Sequence, residues 1–387
     1  MGPIDPRLNN RYDVVVVGAR VAGAATAMLI ARAGLSVLVL DRGREGTDTL
    51  STHALMRAGV LQLHHWGILE PVRRKGTPLV TSTSFHYGDE EIRVQLKPRD
   101  GIDGLYAPRR TVIDQLLVEG ARAAGAVFVY GVSVTQVLRD DRGRVCGVAV
   151  KDVADHATAE VHANLVIGAD GVRSTIANLV GATPTRTART TTAVVFSYFS
   201  NLPIEGYHWY YRPKVSAGAI PTNDGVCVFA AMPPQRFEEQ VASNIAAGHE
   251  QVLRECDASL ADAVSRATRT DPYRGFPGTL GYFRKSSGPG WALVGDAGYF
   301  KDPLTAHGMT DAFVDAEHLA RAVIAGTDDA VADYERARDE RSAEFFELTD
   351  QIASFEWDLP TIQGLHRRLS DEMKQEAAIV LAMHGAR

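Results

Sequence analysis

Three short clusters in the chain carry residue types that handle phosphates, sugar hydroxyls and ring edges. The first is Gly18-Ala19-Arg20-Val21-Ala22-Gly23, with Asp41 placed 23 residues after Gly18. One glycine permits a tight turn and the other lets a helix approach a strand closely. The helix N-terminus then offers free N–H groups and a positive dipole end to a pyrophosphate. Asp41 is placed to accept hydrogen bonds from the hydroxyls of an adenosine ribose. The pattern departs at its middle position, where Arg20 replaces the usual glycine. A guanidinium is a cationic, bidentate donor, so it is expected to point toward the cofactor; the alternative is an outward arginine on a shifted loop.

The second cluster is Gly168-Ala169-Asp170-Gly171-Val172-Arg173-Ser174, which in isolation reads as a capped strand-to-helix turn. The third runs from Gly295-Asp296-Ala297 through Asp302-Pro303 to His307-Gly308-Met309-Thr310. A carboxylate at a strand end can bind a polyol, and FAD has a ribitol where NAD has none. A helix opening near Gly308 can direct N–H groups at the anionic edge of a reduced flavin.

Elements must hold these clusters in place. Residues 12–17 (YDVVVV) read as a central parallel strand, residues 21–31 as a buried helix, and residues 36–40 as a second strand. Together they make a βαβ unit with a right-handed crossover. Residues 51–66 are amphipathic and read as a helix capped by Ser51 or Thr52. Residues 81–87 and 91–96 alternate like a hairpin, and Thr111 to Asp114 has capping-box spacing for a helix ending at Ala124. Further strands are expected at 126–130, 133–138, 145–150 and 165–168. From about Thr190 the texture becomes that of an antiparallel sheet, with strands at 193–200, 207–211, 217–221 and 226–231. Thr222-Asn223-Asp224-Gly225 reads as a hairpin turn. Sheet returns at 291–294, and the tail is helical from about Gly308.

The expected fold class is therefore α/β (α+β overall). A Rossmann-type βαβ domain is built from 11–75, 107–180 and 285–330. A second, mostly antiparallel β-sheet domain is built from 76–106 and 181–284, and C-terminal helices occupy 331–387.

A chain of 387 residues suits two domains. Its 45% hydrophobic and 23% charged residues are those of a globular protein. A net charge of −6 argues against a coat for nucleic acid or an anionic membrane. No apolar run is long enough to span a bilayer, and no secretory apolar segment follows Met1. Cys146, Cys227 and Cys256 are odd in number and dispersed, so neither a disulfide framework nor a CxxC site is expected; a reducing cytoplasm is. No metal site is expected.

In their order, the three clusters resemble those of the group A, single-component FAD-dependent aromatic hydroxylases, whose type is the p-hydroxybenzoate hydroxylase fold. The resemblance covers residues 11–330. It implies bound FAD, with Gly18, Arg20, Ala22 and Gly23 around the pyrophosphate and Asp41, next to Arg42, at the adenosine ribose. It also places Arg57 at the flavin site, Arg110 at the diphosphate or ribitol, and the Val134 backbone at the adenine. Asp170 belongs to a motif used for both FAD and NAD(P)H; Asp296 would meet the ribitol, and Pro303, Gly308 and Met309 the flavin edge. Ala177, Tyr299, Asp302 and Thr310 depart from the family's usual arginine, histidine, proline and asparagine. These departures bear on nicotinamide docking and the oxygen pocket, not on FAD.

The resemblance further implies a reaction. NADH or NADPH reduces the flavin, oxygen adds at C4a, and the hydroperoxide delivers one oxygen atom to an electron-rich, preferably aromatic, small molecule. No second glycine fingerprint and no CxxxxC are present, so the nicotinamide is expected to visit without a domain of its own. The WxWxIP stretch of the halogenase branch has no match; Trp209-Tyr210-Tyr211-Arg212-Pro213 is the nearest. His307, His208 and Tyr211 are the catalytic candidates, with His53, Tyr210, Arg212 and Tyr299 behind them. A monomer or homodimer is expected. Two alternatives stay open: a reductase of the same fold, like the geranylgeranyl reductases, and a flavin-binding protein without catalysis.

Overall fold

Valines 14 to 17 are buried along β1 (Arg11–Val17) because apolar layers cover both of its faces. The computed structural model describes residues 5–9 and 11–385. After β1 the chain turns into α1 (Val21–Arg32), whose small side chains are buried almost throughout, and returns as β2 (Val37–Asp41), parallel to β1. Next come α2 (Arg57–His65) and the hairpin β3 (Ser82–Tyr87) with β4 (Glu90–Gln95). α3 (Arg110–Ala123) leads to β5 (Val127–Tyr130), which pairs with β2 in parallel. β6 (Val132–Arg139) and β7 (Val145–Asp152) extend the sheet antiparallel to β8 (Thr158–Gly168), and β8 runs parallel to β1. α4 (Thr175–Val180) follows.

The second sheet is entered after the short strand β9 (Pro184–Thr187). It contains β10 (Ala193–Ser200), β11 (Tyr207–Arg212), β12 (Val215–Thr222) and β13 (Gly225–Met232), in the order β10-β13-β12-β11-β3-β4. The hairpin turn falls at Asn223-Asp224, with Thr222 opposite Gly225. α5 (Ile245–Cys256) and α6 (Ala258–Arg266) cover one face. The opposite face joins the core shared with α1 and α2. The chain then rejoins the first sheet through β14 (Trp291–Leu293), beside β8. Three helices close the chain: α7 (Gly308–Ala325), α8 (Asp328–Ala353) and α9 (Leu359–Gly385).

Register decides where chemistry can sit. Val17 lies opposite Gly168, Gly168 opposite Leu293, and Asp41 opposite Tyr130. The carboxyl ends of five strands are therefore level, and that edge is where open α/β sheets bind ligands. Two local expectations are corrected. The helix read over 51–66 begins only at Arg57, leaving 49–54 outside regular structure. The capping box at Thr111 does not form: α3 starts at Arg110 without a side-chain cap, and Asp114 instead binds the Arg110 guanidinium. The three cysteines are free thiols. Among the described residues, no helix is long and apolar enough to cross a membrane.

Candidate cofactor and active site

The three clusters meet at the level strand ends. Gly18 has φ +110°, and a Cβ there would lie 2.4 Å from the Ala169 carbonyl oxygen, so the first cluster closes directly on the second. A Cβ on Gly295 would lie 2.9 Å from the Cβ of Ala22, so the third closes on the first helix. Gly23 packs against the Gly18 carbonyl in the same tight turn.

A cleft of ≈ 220 Å³ opens beside this junction. Ala19, Arg20, Asp41, Arg44, Arg110 and Tyr130 are among the residues lining it. Arg20 is the N-cap of α1, and no side chain caps that helix's first turn. Its guanidinium enters the cleft, and Nη1 is buried without a partner among the described residues. Burial, then the neighbouring Arg110, lowers its pKa. Arg110 is itself buried and held by Asp114 through two hydrogen bonds of 2.9 and 3.1 Å. An orphaned guanidinium nitrogen, a second arginine and an uncapped helix N-terminus together suit a diphosphate. Asp41 accepts the Ala19 N–H (2.8 Å) and the Gly43 N–H (2.7 Å), which fixes the turn and leaves further lone pairs toward the cleft. The donor set therefore fits the ADP half of FAD.

A family model described as an FAD binding domain matches residues 11–348. The chain belongs to this FAD-binding family, that of the group A flavoprotein monooxygenases and halogenases. Among its curated relatives is the probable electron transfer flavoprotein-quinone oxidoreductase YdiS of Escherichia coli. It is 34% identical over 46% of this chain and 40% of its own length. Digeranylgeranylglycerophospholipid reductase 2 of Methanopyrus kandleri is 27% identical over 86% of this chain and 83% of its own. The chain spans less than half the length of the first curated relatives it matches. The flavin-dependent brominase Bmp2, as a triple mutant, superposes with a TM-score of 0.81 at 17% identity over 95% of both chains. PqsL, a probable FAD-dependent monooxygenase from Pseudomonas aeruginosa, gives 0.73 at 22% identity over 96% of this chain and 100% of its own. These likenesses establish a shared fold.

Within this FAD-binding fold the remaining cofactor candidates fall into different places. Asp296 is half-buried at the end of β14. Burial, then the nearby Asp311, pushes its carboxyl up to about 6. Asp170 serves its own turn, accepting from the Ser174 hydroxyl (2.5 Å) and the Thr175 N–H (2.6 Å). Arg57 donates to the Arg99 carbonyl (2.8 Å) in the second-sheet segment and does not line the cleft. Arg42 is exposed; the Gly43 turn carries Arg44 into the cleft instead. Val134 is buried in the core on β6, and Tyr130, at the end of β5, lines the cleft. Pro303 and Gly308 are exposed, and Met309 is buried. Asp302, where the family favours proline, binds the Thr192 N–H and hydroxyl (both 2.7 Å), tying the second sheet to the segment before α7.

The catalytic candidates require correction. Side chains alternate along a strand, so His208, Tyr210 and Arg212 cannot share a face with Tyr211. His208 and Tyr210 point away from the FAD-binding side: His208 contacts the Glu205 carbonyl and the His86 ring (both 3.0 Å), and Tyr210 packs with Val252 and Leu253. Tyr211 is on the near face, but it is sealed between Tyr87, Trp357 and His366. His307 is fully buried, with Nε2 2.7 Å from a Glu376 carboxylate oxygen. Tyr299 is enclosed by Phe283 and Phe346. The residues brought together at the seam are His53 and Tyr198, 145 positions apart, with Arg109 over the tyrosine ring. Tyr198 had no sequence signal beyond its alternation in a strand.

Proposed function

We propose that the chain is an FAD-dependent, NAD(P)H-using monooxygenase that inserts one oxygen atom into an electron-rich planar small molecule. The observation that supports this reading is the inner face of the second sheet, which shares one hydrophobic core with Ala19, Ala22 and Met309 of the cofactor clusters. Phe196, Trp209 and Phe229 make it apolar and aromatic, and His53 and Tyr198 give it one hydrogen-bonded polar point. Such a wall accepts a flat ring, excludes water and orients a single polar substituent.

When bound, FAD supplies hydride acceptance and oxygen activation. Arg20, Arg110 and the N-terminus of α1 would hold its diphosphate, Asp41 its ribose and Asp296 its ribitol. The open N-terminus of α7 at Gly308 would meet the flavin edge. Asp296→Ala is expected to weaken FAD binding by about 1.5–3 kcal/mol, the worth of a charged hydrogen bond. FAD titration of the apoprotein measures it, and an unchanged affinity removes Asp296 from the site. Because burial raises this carboxyl from 3.8 to about 6, the ionised form strains the cofactor-free fold. Its contribution to apoprotein stability is present below pH 3.8 and lost as pH rises through about 6. Asp296→Asn should flatten the stability profile across that window.

Oxygen uptake decides between this reading and the reductase reading, which the near full-length alignment to the Methanopyrus reductase supports. With NADH or NADPH and a panel of phenols, uptake with one labelled oxygen in the product is expected. Anaerobic NAD(P)H consumption with a saturated product would favour the reductase.

A further inference from the structure

The charged side chains lining the cleft divide evenly: Arg20, Arg44 and Arg110 against Asp41, Glu45 and Asp114. The acids are engaged differently. Glu45 is paired with Arg122, at 2.6 and 2.9 Å. Asp41 holds the Ala19 and Gly43 N–H groups of the first turn. Asp114 stands one helical turn after Arg110 on α3 and takes that guanidinium edge-on, Oδ1 from Nε and Oδ2 from Nη2.

Asp114 does two things in the cleft. It fixes the plane of the Arg110 guanidinium and occupies its Nε–Nη2 edge, which leaves the remaining N–H bonds for an anion. It also sets a negative charge within reach of Arg20. Burial, then Arg110, lower the Arg20 pKa, and Asp114 is the foremost of the acids that oppose them. The same charge acts on Tyr130, which lines the cleft as well. The side chains of Arg110 and Asp114 are only 9% and 16% exposed, so solvent screens them weakly. Arg44 is exposed in the turn after Asp41, and solvent screens its charge more fully.

This balance favours one ligand charge. Arg20 and Arg110 offer a pair of cations, and Asp114 is a fixed anion beside them. An internal diphosphate, esterified at both ends, carries one charge on each phosphate and is matched by the two arginines. A terminal diphosphate carries nearly one charge more at neutral pH, because a phosphate monoester ionises a second time at about 6. That further charge has no buried arginine left to meet and is repelled by Asp114.

We propose that Asp114 is the specificity-determining residue of this cleft, selecting the esterified diphosphate of a dinucleotide over the terminal phosphate of ADP or ATP. It acts on Arg110 as a positioning residue and on the ligand through its own charge. The inference rests on the assignment of the cleft to the ADP half of FAD. It adds what the cleft turns away: free adenine nucleotides that share adenosine and diphosphate with the cofactor.

The probes are ADP and ADP-ribose, which differ in whether the second phosphate is esterified. Each is titrated against the FAD-loaded protein, and released flavin is followed by its fluorescence. At about pH 7.5, ADP-ribose should displace FAD at about a tenfold lower concentration than ADP. Asp114→Asn keeps an oxygen for Arg110 and removes the charge, so the gap should close to about twofold. Asp114→Glu keeps the charge and should keep the gap. At about pH 5.5 the terminal phosphate gains a proton, so the gap of the parent protein should narrow without any substitution. That arm decides the matter if Asp114→Asn does not fold. Equal displacement by the two nucleotides in the parent at the higher pH overturns the inference. So does a gap that persists in Asp114→Asn, or one that does not narrow in acid. A protein that holds no FAD sinks the underlying assignment instead. FAD that is held but displaced by neither nucleotide removes the ADP half from this cleft, and the inference with it.

Discussion

Replacing Gly18 by alanine is expected to destabilise the protein by about 2–6 kcal/mol and to abolish FAD retention. Two penalties add. The residue holds φ +110°, which costs a non-glycine residue about 1–3 kcal/mol. Its new Cβ would also lie 2.4 Å from the Ala169 carbonyl oxygen, a contact with backbone that no rotamer can relieve. Overpacking of this kind costs about 1–3 kcal/mol. Relief requires moving either α1 or the end of β8, and both hold the cleft. Gly34→Ala is the control, because Gly34 also has positive φ but open space around its Cβ. Denaturant titration and released flavin measure the two effects. A Gly18→Ala protein with parent stability and full FAD would show that the junction of the first two clusters is not the constraint described here.

The same junction explains what could be read in advance. The βαβ unit was legible because each level agreed: β-branched residues at 14–17, small residues through α1, and an acid ending β2. Asp41 could be placed because its distance from Gly18 is set by one helix and two strand ends. His208 and Tyr211 differ in the parity of their positions, so a strand sends them to opposite faces. His307 misled for another reason. Its position ahead of α7 is real, but its partner Glu376 comes from 69 residues downstream, on a helix with no local sign that it packs there. The His53–Tyr198 pair joins a loop to a strand of the other sheet, and no spacing rule spans such a distance. Arg44 could have been chosen over Arg42, since the Gly43 turn reverses which side chain faces the strand ends.

Glu376→Ala is expected to cost about 3–5 kcal/mol, because it removes the carboxylate that meets the buried His307 imidazole. Lys301 pairs with Asp311, and His307 lies between Glu376 and Asp311, at 2.7 and 3.9 Å. The side chains of Lys301 and His307 are 3% and 0% exposed, so water cannot replace the lost carboxylate. A hydrophobic cluster of this volume would be at least as stable. The charges therefore matter most for their position: they fix His307 as the N-cap of α7, one residue before the helix end assigned to the flavin edge. Burial raises the Glu376 pKa, but His307, Lys301 and Arg341 outweigh it and hold the group below its usual 4.5. Its contribution is then present above pH 4.5 and lost as pH falls through the lower folded value. The parent protein should lose stability over that acid range, and Glu376→Ala should lose less. Glu376→Gln keeps a hydrogen-bonding oxygen while losing the charge, so at pH 7 it should fall between the two, and its loss with acid should match that of Glu376→Ala. Urea denaturation at pH 7 and across the acid range gives all three profiles. A Glu376→Ala protein within about 1 kcal/mol of the parent would mean that α9 does not anchor His307.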